Sequence, residues 1–160
     1  MGFDTVIASL IVISFIITMT YIFIASNYNL VEMSSNEYRK MIDIALERLS
    51  TRINITEINY DNSTYTVTAY IKNVGSTKFD DFSKFNLFIY GSAEGYNETY
   101  YPAIDSVSFT ITSELINPGI FDPQEVAKVE INLKDPLPNG TYVVYICTPN
   151  GVCCSGNFVV

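Results

Sequence analysis

Histidine and tryptophan do not occur in this 160-residue chain, and cysteine occurs only three times, close to the C-terminus. Without histidine the chain lacks the commonest general base and the commonest nitrogen ligand for zinc, copper or iron. No zinc-binding pattern of paired cysteines and no glycine-rich phosphate loop can be drawn through the sequence. These absences argue against an enzyme and predict a protein that uses no cofactor and no bound metal.

Basic residues are also scarce, because nine Lys and Arg stand against 17 Asp and Glu and give a net charge of −8. Twelve of the acidic residues but only six of the basic ones follow Ser50. An acidic surface repels phosphate backbones, so we expect no nucleic acid partner. The neighbouring acids Asp80 and Asp81 favour a solvated loop over a calcium site, since adjacent carboxylates point apart and calcium takes six or more oxygen ligands.

The longest apolar run, from Val6 to Ala25, holds twenty residues without a charge. At a rise of about 1.5 Å per residue, this length matches the hydrocarbon core of a membrane, which is about 30 Å thick. A secretory signal peptide would have a basic segment before a shorter apolar run, whereas the first basic residue here is Arg39. We therefore predict a retained single-pass anchor in contact with membrane lipid, and a cleaved signal peptide is the alternative.

The orientation of this anchor depends on two kinds of evidence that disagree. Arg39 and Lys40 lie on the C-terminal side of the run and lean weakly towards placing that side in the cytoplasm. The Tyr- and Thr-rich remainder, with its cysteines and Asn-x-Ser/Thr sequences, is typical of an exported domain. We predict a cytoplasmic N-terminus and an extracytoplasmic C-terminal domain in the cell membrane.

From Ser26 to Ser50 the pattern becomes amphipathic, because apolar residues recur at three- and four-residue steps and charged residues occupy the other side. Ser34 or Ser35 is able to cap a new helix, so one continuous helix and two jointed helices are both open. We predict that residues 1–50 form an anchor and a neck, and that residues 51–160 form a separate domain. The apolar stripe of the neck consists of Tyr38, Met41, Ile42, Ala45 and Leu49.

Beyond Thr51 the hydrophobic period becomes two, which is the period of a strand with one buried face. In one such run Tyr65, Val67, Ala69 and Ile71 alternate with polar residues. Seven or eight short strands separated by turn residues predict an all-β, immunoglobulin-like β-sandwich after the transmembrane α-helix. The runs cover residues 53–60, 63–75, 84–91, 96–103, 106–112, 127–133, 141–148 and 156–160.

The three cysteines predict a disulfide across a hairpin. A two-residue turn at Asn150 and Gly151 places Cys147 opposite Cys154, at a separation that a disulfide can span, and leaves Cys153 on the other face. A different turn type makes Cys153 the partner instead. Three free thiols are the remaining alternative.

Four Asn-x-Ser/Thr sequences are candidates for N-glycosylation. All of them follow Ser50, and chance alone would give about two in a segment of this composition. We expect a glycan on at least one of them. The candidate asparagines are Asn54, Asn62, Asn97 and Asn139.

Two phrases, KNVGSTKFDDFSKFNLFIYG from Lys72 to Gly91 and INPGIFDPQE from Ile116 to Glu125, resemble the FlaF/FlaG family of archaellum accessory proteins. That family is similar to archaeal flagellins in domain plan, and the Met-Gly-Phe start and the neck are closer to FlaF than to FlaG. The resemblance implies a stator-like anchored domain that forms a homodimer through its β-sandwich. It further implies binding to S-layer protein and to archaellum components such as FlaG, which would hold the motor in the envelope.

Two other functions compete with this interpretation: a filament subunit of the pilin or flagellin kind, including a FlaG-like one, and an anchored surface adhesin. Archaeal pilins and flagellins are processed after a basic residue followed by glycine, and Gly2 has no Lys or Arg before it. An accessory protein predicts an uncleaved N-terminus and few copies. A filament subunit predicts filaments in which the helix packs among copies of itself.

Overall fold

The structure is a computed structural model that describes residues 2–95 and 97–160, apart from the side chain of residue 29. It divides into two compact units, Met1–Ile44 and Ala45–Val160. The division lies inside helix α1 (Phe3–Ser50), so the end of the helix belongs to the same unit as the β domain. The predicted boundary at residue 50 is the C-terminal end of α1.

Helix α1 is a single helix, and Ser34 and Ser35 lie inside it rather than at a new start. The helix is long and apolar enough to cross a membrane, as judged by length and composition. Its hydroxyl side chains bond back to the helix itself: Ser14 donates to the carbonyl of Ile11 and Thr18 to that of Ser14, both at 2.8 Å. Such bonds satisfy polar groups where no water is present.

Seven strands follow α1 and form two antiparallel sheets. The four-stranded sheet has the order β1-β2-β5-β4, and the three-stranded sheet has the order β3-β6-β7. This is the strand order of an immunoglobulin constant-type sandwich, so the predicted fold class is confirmed. The strands are β1 (Ile53–Asp61), β2 (Thr66–Asn73), β3 (Asn86–Ala93), β4 (Ile104–Ser113), β5 (Val126–Leu133), β6 (Gly140–Cys147) and β7 (Cys153–Val159).

The core lies between the two sheets and follows the predicted alternation. In β2 the residues Val67, Ala69 and Ile71 are fully buried. Tyr142 of the three-stranded sheet is also fully buried, and its hydroxyl donates to the carbonyl of Pro138 at 2.8 Å. A buried tyrosine needs such a partner for its hydroxyl group. The core therefore combines aliphatic side chains from both sheets with the rings of Tyr142 and Phe158 from the three-stranded sheet.

Two details of the strand prediction are wrong. Of the predicted run 96–103, the described residues contribute only a single bridge between Tyr100 and Gly91. This segment carries the chain towards the other sheet, and Pro102 within it has no N–H for a ladder. Tyr65 is not on the buried face of β2 but in the preceding turn, with a φ of 52° and 37% exposure.

The predicted pairing of Cys147 with Cys154 is also wrong, because the structure joins Cys147 to Cys153 with a Cα–Cα distance of 4.0 Å. The hairpin loop has three residues instead of two. Thr148 donates its N–H to the carbonyl of Val152 at 2.9 Å, and Gly151 closes the loop with a φ of 82°. The extra loop residue shifts the register by one position and exchanges the two cysteines.

Pro149 explains why the longer loop forms. Proline favours the first central position of a type I turn, and a glycine in the left-handed region then completes the common three-residue hairpin loop. Cys154 therefore faces the core between the sheets and keeps a free thiol. Burial raises the pKa of this thiol to about 11.

Candidate functional site

Within residues 2–95 and 97–160, no three acidic or cysteine side chains gather to hold a metal ion. Two other features of the second unit are candidates for function. The first is the entry segment, residues 47–52, which comprises the last turn of α1 and the two residues that lead into β1. The second is the outward side of the three-stranded sheet.

The hairpin between β6 and β7 holds the entry segment from one side. Arg48 donates from Nε to the carbonyl of Asn150 at 2.7 Å, and Asn150 donates from Nδ2 to Oγ1 of Thr51 at 2.6 Å. Thr51 is buried, and its hydroxyl also donates to the carbonyl of Glu47 at 2.8 Å. The disulfide between Cys147 and Cys153 closes the hairpin that presents Asn150, so it fixes the loop at its base.

The loop after β2 holds the entry segment from another side. Gly75 donates its N–H to the carbonyl of Arg52 at 2.8 Å, and Ser76 donates its own to the carbonyl of Ser50 at 2.9 Å. The second bond satisfies one of the carbonyls that the end of a helix leaves without a partner. A methyl group on Gly75 would collide with the backbone of Ser50 and Arg52, so only glycine permits this close approach.

The two phrases that carry the family resemblance pack against each other behind this loop. Asn73 is fully buried and donates from Nδ2 to the carbonyl of Thr77 at 2.7 Å, while Gln124 donates its N–H to the carbonyl of Asn73 at 2.7 Å. Glu125 is fully buried as well, and its carboxylate accepts the N–H of Asp122 at 2.8 Å. Both phrases therefore build one polar corner that supports the entry segment.

One ion pair closes this corner. Lys78 contacts the buried carboxylate of Asp122 with a distance of 2.7 Å between Nζ and Oδ1, and Asn117 donates to Oδ2 at 2.7 Å. The hydrogen bond from Lys78 holds the pKa of Asp122 below its usual value, although burial acts in the opposite direction. Asp122 therefore stays ionised and keeps the two phrases joined at neutral pH.

The outward side of the three-stranded sheet, which we call the aromatic face, carries no charged residue on its strands. Tyr90 stacks on Tyr145 with ring centroids 5.7 Å apart, and Tyr101 lies 6.1 Å from Tyr90. Phe88 and Val159 are exposed beside them. The outward strand residues are Asn86, Phe88, Tyr90, Ser92, Thr141, Val143, Tyr145, Cys147, Cys153, Ser155, Asn157 and Val159.

The outward side of the four-stranded sheet, which we call the charged face, has a different character. Lys128 and Glu130 form an ion pair with 2.6 Å between Nζ and Oε1. Each partner favours the charged form of the other, so the pKa of Lys128 is raised and that of Glu130 is lowered. Thr66 and Asn132 form a cross-strand hydrogen bond of 2.9 Å on the same side. This face has the polar side chains of a solvated sheet.

The structure places the predicted site residues on separate parts of the domain. Asn54, Asn62, Asn97 and Asn139 are all exposed, which an acceptor asparagine requires, and their glycosylation stays a prediction. Asp81 accepts the N–H of Ser83 at 2.9 Å at the start of a short helical turn, and the hydroxyl of Ser83 is the main cause of its lowered pKa. The pair at Asp80 and Asp81 is thus a turn feature.

Sequence reasoning did not find the entry segment or the aromatic face. The alternation of β3 and β6 could have predicted the aromatic face. The positions that alternate with the core residues include Phe88, Tyr90 and Tyr145. The entry segment gave no such signal, since its partner Asn150 lies about 100 positions away in the chain. In the neck, the predicted stripe residues Tyr38 and Met41 are exposed.

Comparison with known proteins places this domain plan in a family. The family model for archaeal-type flagellins matches residues 2–158. An uncharacterized protein of Archaeoglobus fulgidus is 46% identical over 160 residues, which is 100% of this chain and 98% of the relative.

Among solved structures, the archaellum periplasmic stator protein FlaG of Sulfolobus acidocaldarius is similar, with 30% identity and a TM-score of 0.47. The match covers 68% of this chain and 99% of that one. A complex of FlaF and FlaG from the same organism gives the same identity and TM-score over 89% of the matched chain. By the family match over nearly its whole length and by its close relative, the chain belongs to the archaeal-type flagellin family.

Proposed function

We propose that the protein is a membrane-anchored accessory protein of the archaellum, of the stator type. In this proposal α1 crosses the cell membrane with the N-terminus in the cytoplasm, and the β-sandwich lies in the extracytoplasmic space. Membership of the archaeal-type flagellin family supports a role in the archaellum. The apolar composition of α1 supports the anchor.

The observation that carries the proposal is the way the domain holds its entry segment. Only Thr51 and Arg52 separate the end of α1 from β1, and both take part in hydrogen bonds to other loops of the domain. A flexible connection would instead be a longer linker rich in glycine and serine. A short segment bonded on two sides suits a domain that must transmit a mechanical load to its anchor.

A stator needs a second attachment outside the membrane. We propose that the exported domain binds S-layer protein, assembles with archaellum components such as a FlaG-type protein, and pairs with a second copy of itself. These finer statements follow the resemblance of the Lys72–Gly91 and Ile116–Glu125 phrases to the FlaF/FlaG family. The choice of FlaF over FlaG has the same basis, in the Met-Gly-Phe start and the neck.

A filament subunit is the second candidate, and the family match over residues 2–158 favours it, because flagellins are the filament proteins for which the family is named. The two candidates differ in where the protein is found. A filament subunit is recovered as a component of the filament, whereas a stator-type protein stays in the membrane.

The proposal is tested by loosening the entry segment in an archaeon that carries the protein. The double variant Arg48→Ala/Asn150→Ala removes both bonds from the hairpin. A matched control, Arg39→Ala/Asn59→Ala, removes the same residue types from exposed positions outside the entry segment. We expect the loosened variant to assemble filaments but to swim several-fold more slowly at equal protein levels, and we expect the control to swim normally.

Either of two results would overturn the proposal. Normal swimming by the loosened variant would show that the entry segment carries no load. Recovery of the protein as a main component of sheared filaments would identify it as a filament subunit.

A further inference from the structure

Two of the four sequons border the aromatic face, because Thr141 of the Asn139 sequon is an outward residue of β6. Of the four acceptor asparagines, it is Asn97 that lines a groove beside Tyr90. Asn97 and Thr99 lie in the segment that follows β3, and this segment is tied to the edge of β3 by the bridge between Tyr100 and Gly91. The bridge consists of two hydrogen bonds between their backbones, of 2.8 and 3.0 Å. The three-stranded sheet is thereby extended by a short stretch of chain.

The residues at the bridge face opposite sides of the sheet. Tyr100 lies next to the core residue Tyr142, with ring centroids 6.3 Å apart, so it points inward. Tyr101, the next residue, points outward and contacts Tyr90. A groove of about 420 Å³ is lined by Asn97 and its neighbour Glu98 together with Tyr90, Ser92 and Thr141. The acceptor side chain thus opens onto the aromatic face.

The chemistry of this groove matches that of a sugar chain. The rings of Tyr90 and its neighbours offer flat apolar surfaces for the C–H side of a sugar ring, and Ser92 and Thr141 offer hydroxyl groups for its hydrogen bonds. The outward strand positions carry no charge, which suits a neutral polyhydroxylated occupant, and the carboxylate of the groove is that of Glu98 within the sequon itself. By contrast, Asn54 lies on the other sheet in register with Lys72.

We propose that Asn97 carries an N-linked glycan and that this glycan lies on the aromatic face, over Tyr90 and Tyr101. The inference rests on the extracytoplasmic orientation given under the proposed function, since glycan transfer occurs on the exported side. The donor is a glycan linked to a lipid phosphate. The amide nitrogen of Asn97 forms a bond to C1 of the first sugar, the bond between C1 and the phosphate oxygen breaks, and the amide proton leaves with the lipid phosphate.

The glycan has a physical role in this arrangement. Exposed aromatic side chains grouped on one uncharged surface are a liability for a soluble domain, because such patches associate with other apolar surfaces. A covering glycan shields them while leaving the charged face and the entry segment free. In this arrangement the occupant of the aromatic face is the chain's own glycan and not a partner protein.

The test uses the full chain purified in detergent from an archaeal host that N-glycosylates its proteins. Peptide mapping by mass spectrometry measures occupancy at the four sequons. Nitration by tetranitromethane then measures the accessibility of Tyr90 and Tyr101 in the wild type, in Asn97→Gln and in the control Asn54→Gln. We expect a glycan on Asn97, and nitration of both tyrosines at least fivefold faster in Asn97→Gln than in the wild type and in Asn54→Gln.

Three results would overturn the inference. The first is a bare Asn97 in a chain that is glycosylated at another sequon, which leaves the exported orientation and the proposed function intact. The second is equal, rapid nitration in all three proteins, which would mean that a glycan on Asn97 does not cover the face. The third is equal, slow nitration in all three, which would identify a second copy or another protein as the occupant.

Discussion

The two outward sheet faces of the sandwich differ more than their inward sides do. The charged face carries the Lys128–Glu130 ion pair and cross-strand hydrogen bonds such as that between Thr66 and Asn132. The aromatic face has no charge on its strands and exposes Phe88 among stacked tyrosines. In a protein with a net charge of −8, the charged face is suited to solvent, whereas the aromatic face is the surface on which we propose a glycan.

Different parts of the domain form the core, hold the entry segment and face the surroundings. Inward residues from both sheets make one core, the loops at one corner hold the entry segment, and the outward faces are left for contact with the surroundings. Because β-strand side chains alternate, each strand can serve the core and a face independently. Substitutions on the two sides of a strand should therefore have separable effects.

The largest effect should come from the inward side, on which the two sheets are alike. Ile131→Ala in β5 and Ile146→Ala in β6 each remove a fully buried side chain, and each should lower the free energy of unfolding by about 2–5 kcal/mol. Chemical unfolding of the full chain in detergent, followed by near-ultraviolet circular dichroism, measures both. A large cost in one sheet with almost none in the other would contradict a shared core.

The next effect should distinguish the sheets, because only the three-stranded sheet has a disulfide. Replacing Cys147 and Cys153 by serine removes a short loop closure and should lower the free energy of unfolding by about 2 kcal/mol. A reducing agent should produce the same loss in the wild type and none in the double variant. Peptide mapping that joins Cys147 to Cys154 would show that the hairpin loop has two residues after all.

A smaller effect should separate the two outward faces. Tyr145→Ala removes the ring that stacks on Tyr90 and should cost about 0.5–1.5 kcal/mol beyond the loss of buried area. Thr68→Ala, at an outward position of the charged face, should change the free energy of unfolding by less than about 0.5 kcal/mol. Equal losses for the two variants would remove the energetic distinction between the faces.

The smallest effect should come from the ion pair on the charged face. Lys128→Met should lower the melting temperature only slightly at low salt and not measurably at high salt, because exposed pairs are screened. The lowered pKa of Glu130 means that the contribution of the pair is present above the usual glutamate pKa and is lost as the pH falls through the folded value. A loss that persists in high salt would show that the pair is structural.

The spacing of apolar residues along the sequence predicted the helix, seven of the strands and the sandwich. Val67, Ala69 and Ile71 are buried as their alternation predicts, because one face of β2 has only the core to contact. The segment 96–103 was wrongly predicted to be a strand. Its described residues pack along the edge of β3 and pair with it through one bridge, between Tyr100 and Gly91. The disulfide depended on loop length, and Pro149 was the overlooked signal for a three-residue loop.

The contacts of the entry segment could not be predicted from a single sequence. Its contacts join Arg48 to Asn150 and Gly75 to Arg52, and none of these residues has a periodic neighbour that would mark it. Gly75 serves a close backbone approach, which no local pattern in the sequence announces. The resemblance of Lys72–Gly91 and Ile116–Glu125 to one family was the sole indirect sign, since those phrases build the supporting corner.

The central claim is that this chain stays in the membrane as an anchored accessory protein and does not enter the filament. The most direct measurement is the N-terminal peptide of the native protein, identified by mass spectrometry in the membrane fraction and in sheared filaments. The account predicts a peptide that begins at Met1 or Gly2 and retains the apolar run, found in the membrane fraction. A peptide that begins at Phe3 and is recovered from the filaments would contradict it.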